Sequence, residues 1–335
     1  MASANLEVQK LAATLGGIEC RIFENTAYML TGTSRKVITY LGHYTALAFA
    51  IVRSRPNVVM VQASQRGYFH QSLFAFIAKM FCKATIIHFH AKPDVPAREG
   101  CWSRRAICWS QHFVDKLVVL TAGSKESLIR HGWKRPITVL PNFIHLEDYP
   151  SELPDVATRP VDVVYIGRMV REKGIFAVLQ VARILPRRDF LFIGDFADES
   201  TKVDFEREIT SLNNVRWLGP IYGQAKINYL ARAKLLLMPT HTEVFPLVLL
   251  ECAACGVVPL VTLVGAIPEF IRDGFNGFAI DRNDPTAMAR RIESLLSQPA
   301  LLRRLSANAR QALCERYTSD SVRGLFTQIL ADWSE

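Results

Sequence analysis

The chain has 335 residues, 50% of them hydrophobic and 21% charged, with a net charge of +9. That balance excludes a disordered chain, a collagen-like repeat and a disulfide miniprotein. The length predicts two domains, each large enough for its own core.

The charge lies on one side of the chain. Residues 1–150 hold 18 Lys+Arg against 9 Asp+Glu, giving +9, and residues 151–335 hold the other 22 and 22, giving zero. A one-sided positive field favours a polyanionic partner: an anionic membrane surface, a phosphorylated substrate or nucleic acid. A plain solvated surface is the alternative. No uncharged apolar run approaches the ~20 residues of a membrane span; Tyr44–Val52 stops at Arg53. The opening Met1–Glu7 lacks the basic-then-apolar sequence of a secretory signal. Seven cysteines, at 20, 82, 101, 108, 252, 255 and 314, show no paired spacing. They predict reduced thiols and a cytosolic chain.

Short β-branched apolar runs alternate with amphipathic stretches throughout. The first half opens with a helix, Leu6–Leu15, leading into a strand, Ile18–Phe23. Further strands are expected at Asn57–Gln62, Thr85–Phe89, Lys116–Leu120 and Ile137–Leu140. Helices are expected between them at Thr45–Arg53, Phe69–Phe81, Ser103–His112 and Lys125–His131. The second half repeats the scheme, with strands at Asp162–Ile166, Asp189–Ile193, Val215–Leu218, Leu235–Pro239, Val258–Val261 and Gly277–Ile280. Its helices include Ile175–Leu185, Thr201–Leu212, Lys226–Ala233, Phe245–Ala254 and Pro285–Ser297. Runs apolar on both faces and separated by helices predict parallel sheets covered on both sides. The expectation is an α/β protein of two doubly wound, Rossmann-like domains sharing a central cleft. Residues 1–149 form the first domain and 150–160, rich in proline, a stiff linker. Residues 161–316 form the second domain, and 317–335 a helix returning to the first.

The most informative segment is Pro239-Thr-His-Thr-Glu-Val-Phe-Pro-Leu-Val-Leu-Leu-Glu251, followed by Cys-Ala-Ala-Cys-Gly256. It predicts a strand end, a polar turn holding Glu243, and a helix with Pro246 in its first turn and Gly256 at its end. Ligands bind at the carboxyl edge of such sheets. Two carboxylates there suit the vicinal hydroxyls of ribose and pyranose. A capping Glu243 and a salt-bridged Glu251 are the structural alternative, although a glutamate amid Leu247–Leu250 is costly without a partner. A second cluster, Tyr165-Ile-Gly-Arg-Met-Val-Arg-Glu-Lys-Gly174, follows the second domain's first strand. Gly167 permits close backbone approach, and Arg168 and Lys173 offer cations at a helix N-terminus, where a diphosphate is stabilised.

Together these features resemble the GT-B fold glycosyltransferases of family 4. The resemblance rests on an ordered series: Gly167-Arg168, Lys173-Gly174, Val215–Gly219, Glu243 to Glu251, Gly256 and Ile267–Gly277. It implies a retaining transfer of a sugar from a nucleotide diphosphate sugar. Arg168 and Lys173 would then neutralise the diphosphate, and Gly167 and the backbone of Phe245, Pro246 and Leu247 would meet phosphate or sugar. Glu251 would bind the ribose and Glu243 the donor sugar's hydroxyls. Trp217, Leu218 and Gly219 would border the base.

In the first half, Ile87-His-Phe-His90 ends a strand where the family commonly has a histidine near the reacting centre. His90 is thus a catalytic candidate beside Glu243, with an ordinary hydrogen-bonded histidine as the alternative; for His88 that alternative is preferred. Asn142 is a candidate cleft residue, with a helix cap or Asx-turn as its other reading. The sequence offers no acidic pair of the kind that holds Mg²⁺ and no metal-spaced His/Cys set. The resemblance implies a reaction that uses neither metal nor cofactor, which fits that absence, and Cys252-x-x-Cys255 reads as packing.

Relative to the family, the chain lacks an opening strand with its glycine-rich loop; Gly16-Gly17 falls after a helix and reads as its end. The intact protein is expected to carry about 15–30 further N-terminal residues, one strand and its loop. The leading expectation is a transferase acting on a polysaccharide or lipid-linked acceptor at the cytoplasmic membrane face. The alternatives are a transferase with a soluble acceptor, and an impaired scaffold or fragment that keeps nucleotide-sugar binding. Nucleic acid is not an expected partner, because no recognised motif accompanies the charge.

Overall fold

The computed structural model describes residues 2–15, 33–64, 68–82, 84–90, 107–331 and 333. These fall into two compact units, one of residues 1–141 with 322–335, the other of residues 142–321.

The first unit holds a four-stranded sheet in the order β1 (Val58–Ser64), β2 (Ala84–His90), β3 (Lys116–Val119), β4 (Ile137–Val139), all parallel. Its helices are α1 (Ala2–Thr14), α2 (Thr33–Ser54), α3 (Tyr68–Lys79) and α4 (Ala122–Arg130). Ala63, Ile87, Phe89, Leu117 and Val119 bury one sheet face under α3 and α4, meeting Tyr68, Ala75 and Leu128. Thr121 caps α4, its Oγ1 accepting from Ser124 N at 2.9 Å. The helix expected at Thr45–Arg53 is the second half of α2, which starts at Thr33. Val37, Ile38, Thr39 and Gly42 are weak helix formers, and they concealed its first turns. The expected strand Ile18–Phe23 lies outside the described residues, as does Ser103–His112 before residue 107.

The second unit holds a six-stranded parallel sheet in the order β10 (Phe278–Ala279), β9 (Val258–Val261), β8 (Ala233–Met238), β5 (Val161–Ile166), β6 (Phe190–Ile193), β7 (Val215–Trp217). Helices α5 (Ile175–Ile184), α6 (Glu199–Ile209), α7 (Gly223–Leu230), α8 (Leu247–Ala254), α9 (Ile267–Phe270), α10 (Pro285–Leu296) and α11 (Pro299–Arg316) connect and cover it. All six residues of β5 are buried, as a strand covered on both faces requires. Its one charged member, Asp162, accepts from Lys234 Nζ at 2.7 Å and from Asp189 N at 3.2 Å. The chain runs β5–β6–β7 outward, then returns to β8 beside β5 and runs β9–β10 the other way. The strand order therefore reverses between β5 and β8, which is where such sheets bind ligands.

Residues 150–160, expected as a linker, are part of the second unit. Val156 joins its core. Buried Arg159 donates from Nη1 to Ala233 O at 2.9 Å and from Nε and Nη2 to Pro154 O at 3.2 and 3.1 Å. The prolines stiffen a packed strap here; one apolar side chain and one guanidinium bonded through all three nitrogens fasten it. The last helix, α12 (Ser319–Ala331), lies mostly among residues grouped with the first unit. There Lys116 Nζ reaches Ile329 O at 3.4 Å and stands 4.8 Å from the centre of the Trp333 ring.

Candidate functional site

The loops leaving β5, β8 and β9 press against one another. After β5, Gly167 (φ +148°) leads through Arg168 into a 3-10 turn at Arg171–Lys173, and Gly174 (φ +78°) opens α5. A Cβ on Gly174 would stand 2.2 Å from Pro239 O, so only glycine admits the loop after β8 this closely. His241 N donates to Glu172 O at 2.8 Å across the same seam. The loop after β9 closes from the other side: a Cβ on Gly265 (φ +60°) would lie 2.1 Å from Glu243 O, and Ala266 N donates to Val244 O at 2.8 Å.

Within this seam Lys173 and Glu243 form an ion pair, and Lys173 Nζ also donates to Thr242 O at 3.2 Å. Tyr165 lies alongside, its hydroxyl donating to Arg168 O at 3.1 Å. Burial, then the negative charge of Glu243, pushes that phenol well above its ordinary pKa. The Arg168 side chain is exposed and has no hydrogen-bond partner among the described residues.

The second glutamate is held elsewhere. Glu251 lies on α8 and is only 7% exposed. Its Oε1 accepts from Lys226 Nζ on α7 at 2.6 Å, while its buried Oε2 has no hydrogen-bond partner among the described residues. A buried carboxylate oxygen left open is costly unless a donor arrives. The structure thus joins Lys173 to Glu243 but ties Glu251 to a different cation. The sequence hid Lys226: a buried Glu251 demanded a partner, yet that partner sits 25 residues away on another helix. The helix expected from Phe245 begins at Leu247, with Pro246 as its N-cap residue in extended conformation. Phe245 is buried, its ring 5.3 Å from that of Tyr317, and its carbonyl accepts from Asn142 Nδ2 at 2.6 Å.

Beyond β6 and β7, Gly194 N donates to Gly219 O at 2.9 Å, and Trp217 Nε1 to Gly194 O at 3.0 Å. Trp217, Gly219, Pro220, Phe196 and Asp195 line an open depression of about 370 Å³. Phe196 stacks edge-on to Trp217 at 5.0 Å. Leu218 N is bonded to Phe192 O at 3.0 Å, so it serves the sheet. The two glutamates and Lys173 lie outside the lining of this depression.

In the first unit, His90 ends β2 and its Nε2 lies 2.8 Å from Gln62 Oε1 on β1. Burial pulls its pKa down to about 4. His88, expected as an ordinary hydrogen-bonded histidine, is 2% exposed and neither ring nitrogen has a hydrogen-bond partner among the described residues. Its ring lies 4.3 Å from that of His90, and burial, then His90, lowers its pKa far below normal. The correction follows from β2's central position: its neighbours there are Gln62, already engaged by His90, and apolar Val118.

Residues 154–312 match the profile of the family described as glycosyl transferases group 1. A glycogen synthase of Mycobacterium tuberculosis is 29% identical over 228 residues, 66% of this chain and 55% of that protein. The lipopolysaccharide core biosynthesis glycosyltransferase LpsE of Rhizobium meliloti is 28% identical over 222 residues, 65% of this chain and 64% of that one. The chain thus spans little more than half the length of the first of these curated relatives. Among solved structures, sucrose-phosphate synthase of Thermosynechococcus elongatus superposes with a TM-score of 0.77 at 19% identity, covering 93% of this chain and 83% of its own. Anabaena Alr3699/HepE, solved with UDP-glucose, does so with a TM-score of 0.73 at 17% identity and 90% coverage of both chains. These likenesses carry the GT-B fold of two Rossmann-like domains. Residues 154–312, most of the second unit, thus match the glycosyl transferases group 1 family.

Proposed function

We propose that this chain is a retaining glycosyltransferase that moves a hexose from a nucleotide diphosphate sugar to a polysaccharide or lipid-linked acceptor. It works at the cytoplasmic face of a membrane, with 161–316 as the donor-binding domain. The observation that carries the reading is Glu251, a buried carboxylate with one oxygen held by Lys226 and the other open. Such an oxygen accepts a ribose hydroxyl. Arg168, exposed and unengaged, and Lys173 neutralise the diphosphate beside Gly167, and the backbone of Phe245–Leu247 meets phosphate or sugar. Glu243, paired with Lys173, accepts from the donor sugar's hydroxyls. The depression lined by Trp217 and Gly219 receives the base, with Leu218 behind it.

Negative charge develops on the leaving diphosphate as the glycosidic bond breaks, and prepositioned cations stabilise it most in the transition state. Side-chain cations take the neutralising role, so turnover is expected to survive EDTA. His90 enters through the family resemblance, as a group near the reacting sugar. With its pKa at about 4 it is neutral near pH 7, and so a hydrogen-bond partner rather than a cation.

A thermal-shift panel of UDP, GDP, ADP and dTDP sugars tests the reading, with UDP sugars first because the neighbour HepE was solved with UDP-glucose. One of them should raise the melting temperature by mass action, and Glu251→Ala should abolish the shift. Silence across the panel would overturn donor binding. A shift without turnover on any glycan or lipid acceptor would point to the impaired scaffold.

A further inference from the structure

We propose that the outward faces of α2 and α3 form a surface that seats this chain on an anionic lipid bilayer. The inference deepens the membrane-face reading above and rests on it for its biological sense, but the observations are separate. Leu47 and Ile51 of α2 meet Phe74 and Ala78 of α3 over β1, and the Tyr44 and Phe74 rings lie 4.5 Å apart. The two helices thus lie side by side with their inner faces spent on the core. Over residues 44–54 of α2 and along α3, large apolar side chains nevertheless stand exposed. On α2, Phe49 is 69% and Val52 50% exposed; on α3, Phe69 and Phe76 are 54% and 43% exposed, and Met80, in the turn just after it, 65%. Phe69 and Phe76 fall seven residues apart, on one side of α3, with Met80 just past its end. Phe76 is flanked by Trp109, rings 5.9 Å apart, itself 38% exposed. A helix apolar on both sides has a second environment to fill.

The charge identifies that environment. From residue 25 to residue 93 the chain has no aspartate or glutamate, while it carries Arg35, Lys36, Arg53, Arg55, Arg66, Lys79, Lys83 and Lys92; of these Lys79 is paired with Asp115 at 2.8 Å. This acid-free stretch contains both helices. Arg53 and Arg55 are exposed where α2 ends, directly after Val52, and have no ion-pair partner among the described residues. Protein interfaces gain register from charges of both signs, whereas an anionic leaflet attracts every cation and repels every carboxylate. Aromatic side chains between cations suit the headgroup boundary, where rings enter the acyl edge and guanidinium groups stay with phosphate.

The test floats the purified full chain with vesicles of phosphatidylcholine alone and with vesicles containing phosphatidylglycerol. Wild type should rise with the anionic vesicles and stay behind with the neutral ones. Phe49→Ser/Phe76→Ser should lose affinity about tenfold, a loss that salt does not deepen. Arg53→Glu/Arg55→Glu should lose about fivefold, mostly at low ionic strength. Both pairs are exposed, and unchanged melting curves would confirm that each variant folds. Equal flotation of wild type and both variants overturns the surface. So does a dimer in solution that Phe49→Ser/Phe76→Ser dissolves, because the occupant is then a second copy. The nucleotide-sugar shift on the same samples separates the two readings. A shift without flotation sinks the lipid surface and leaves the transferase; flotation without a shift does the reverse.

Discussion

Replacing Lys226 by methionine removes the only hydrogen bond that the Glu251 carboxylate makes among the described residues, its other oxygen being already unsatisfied there. Breaking one side of a buried pair costs about 3 kcal/mol. Lys226→Met should therefore lower the urea midpoint markedly and weaken nucleotide binding, and Lys226→Met/Glu251→Gln should regain much of the stability but none of the binding. The two histidines of β2 give a pH signature. Their folded-state pKa values lie below the unfolded value of 6.5, His90 at about 4, so the unfolded chain binds more protons between those limits. The stability they support is complete above pH 6.5 and is lost as pH falls toward 4, by about 3 kcal/mol for His90 alone. Urea titrations at pH 7 and pH 5 should show this slope, and His88→Leu should flatten it while leaving Gln62 to hold His90. At this scale the sequence was only partly readable. The glutamate pair and the Gly-Arg…Lys-Gly cluster stood out because a buried acid and paired turn glycines are costly without a purpose. Lys226, which holds Glu251, and Gln62, which meets His90, did not, since both are surface-type residues brought in by distant segments.

Among the elements, the parallel strands were legible because each is an apolar run covered on both faces, as β5 and β6 show. Boundaries set by tertiary contact were harder to read. The start of α8 moved past Pro246, and the proline-rich strap was drawn into the second unit by Val156 and Arg159, two residues in a polar segment. The loops themselves hang on glycines at positive φ that no side chain can replace. Gly174→Ala would force Cβ against Pro239 O and hold alanine at φ +78°, costing about 2–3 kcal/mol. It should lower the thermal midpoint and weaken nucleotide binding more than Gly219→Ala, whose Cβ meets open space and whose cost is the backbone angle alone. Paired melting curves with and without the nucleotide sugar check the ranking.

At the level of the whole molecule, the second unit carries its own six-stranded sheet and a core running from Val156 to Leu305. Residues 142–321 expressed alone are expected to fold cooperatively and to keep the nucleotide-sugar shift, while losing transfer. An unfolded fragment by circular dichroism would contradict this division. The two-unit architecture was readable from alternation and length. The charge split was readable too, but its meaning was not: what matters is where the acid-free stretch falls, and only the packing of α2 on α3 puts it beside exposed aromatic rings.

The strand order of the second sheet has a further consequence. Six strands aimed the same way send every exit to a single rim, while the opposite rim carries only returning connections. Donor preference can therefore be rewritten by exchanging exits alone, such as the stretch beyond β7 that carries Gly219 and Pro220, with the buried strands left untouched. Chimeras made that way should differ in the sugar nucleotide they accept and melt alike.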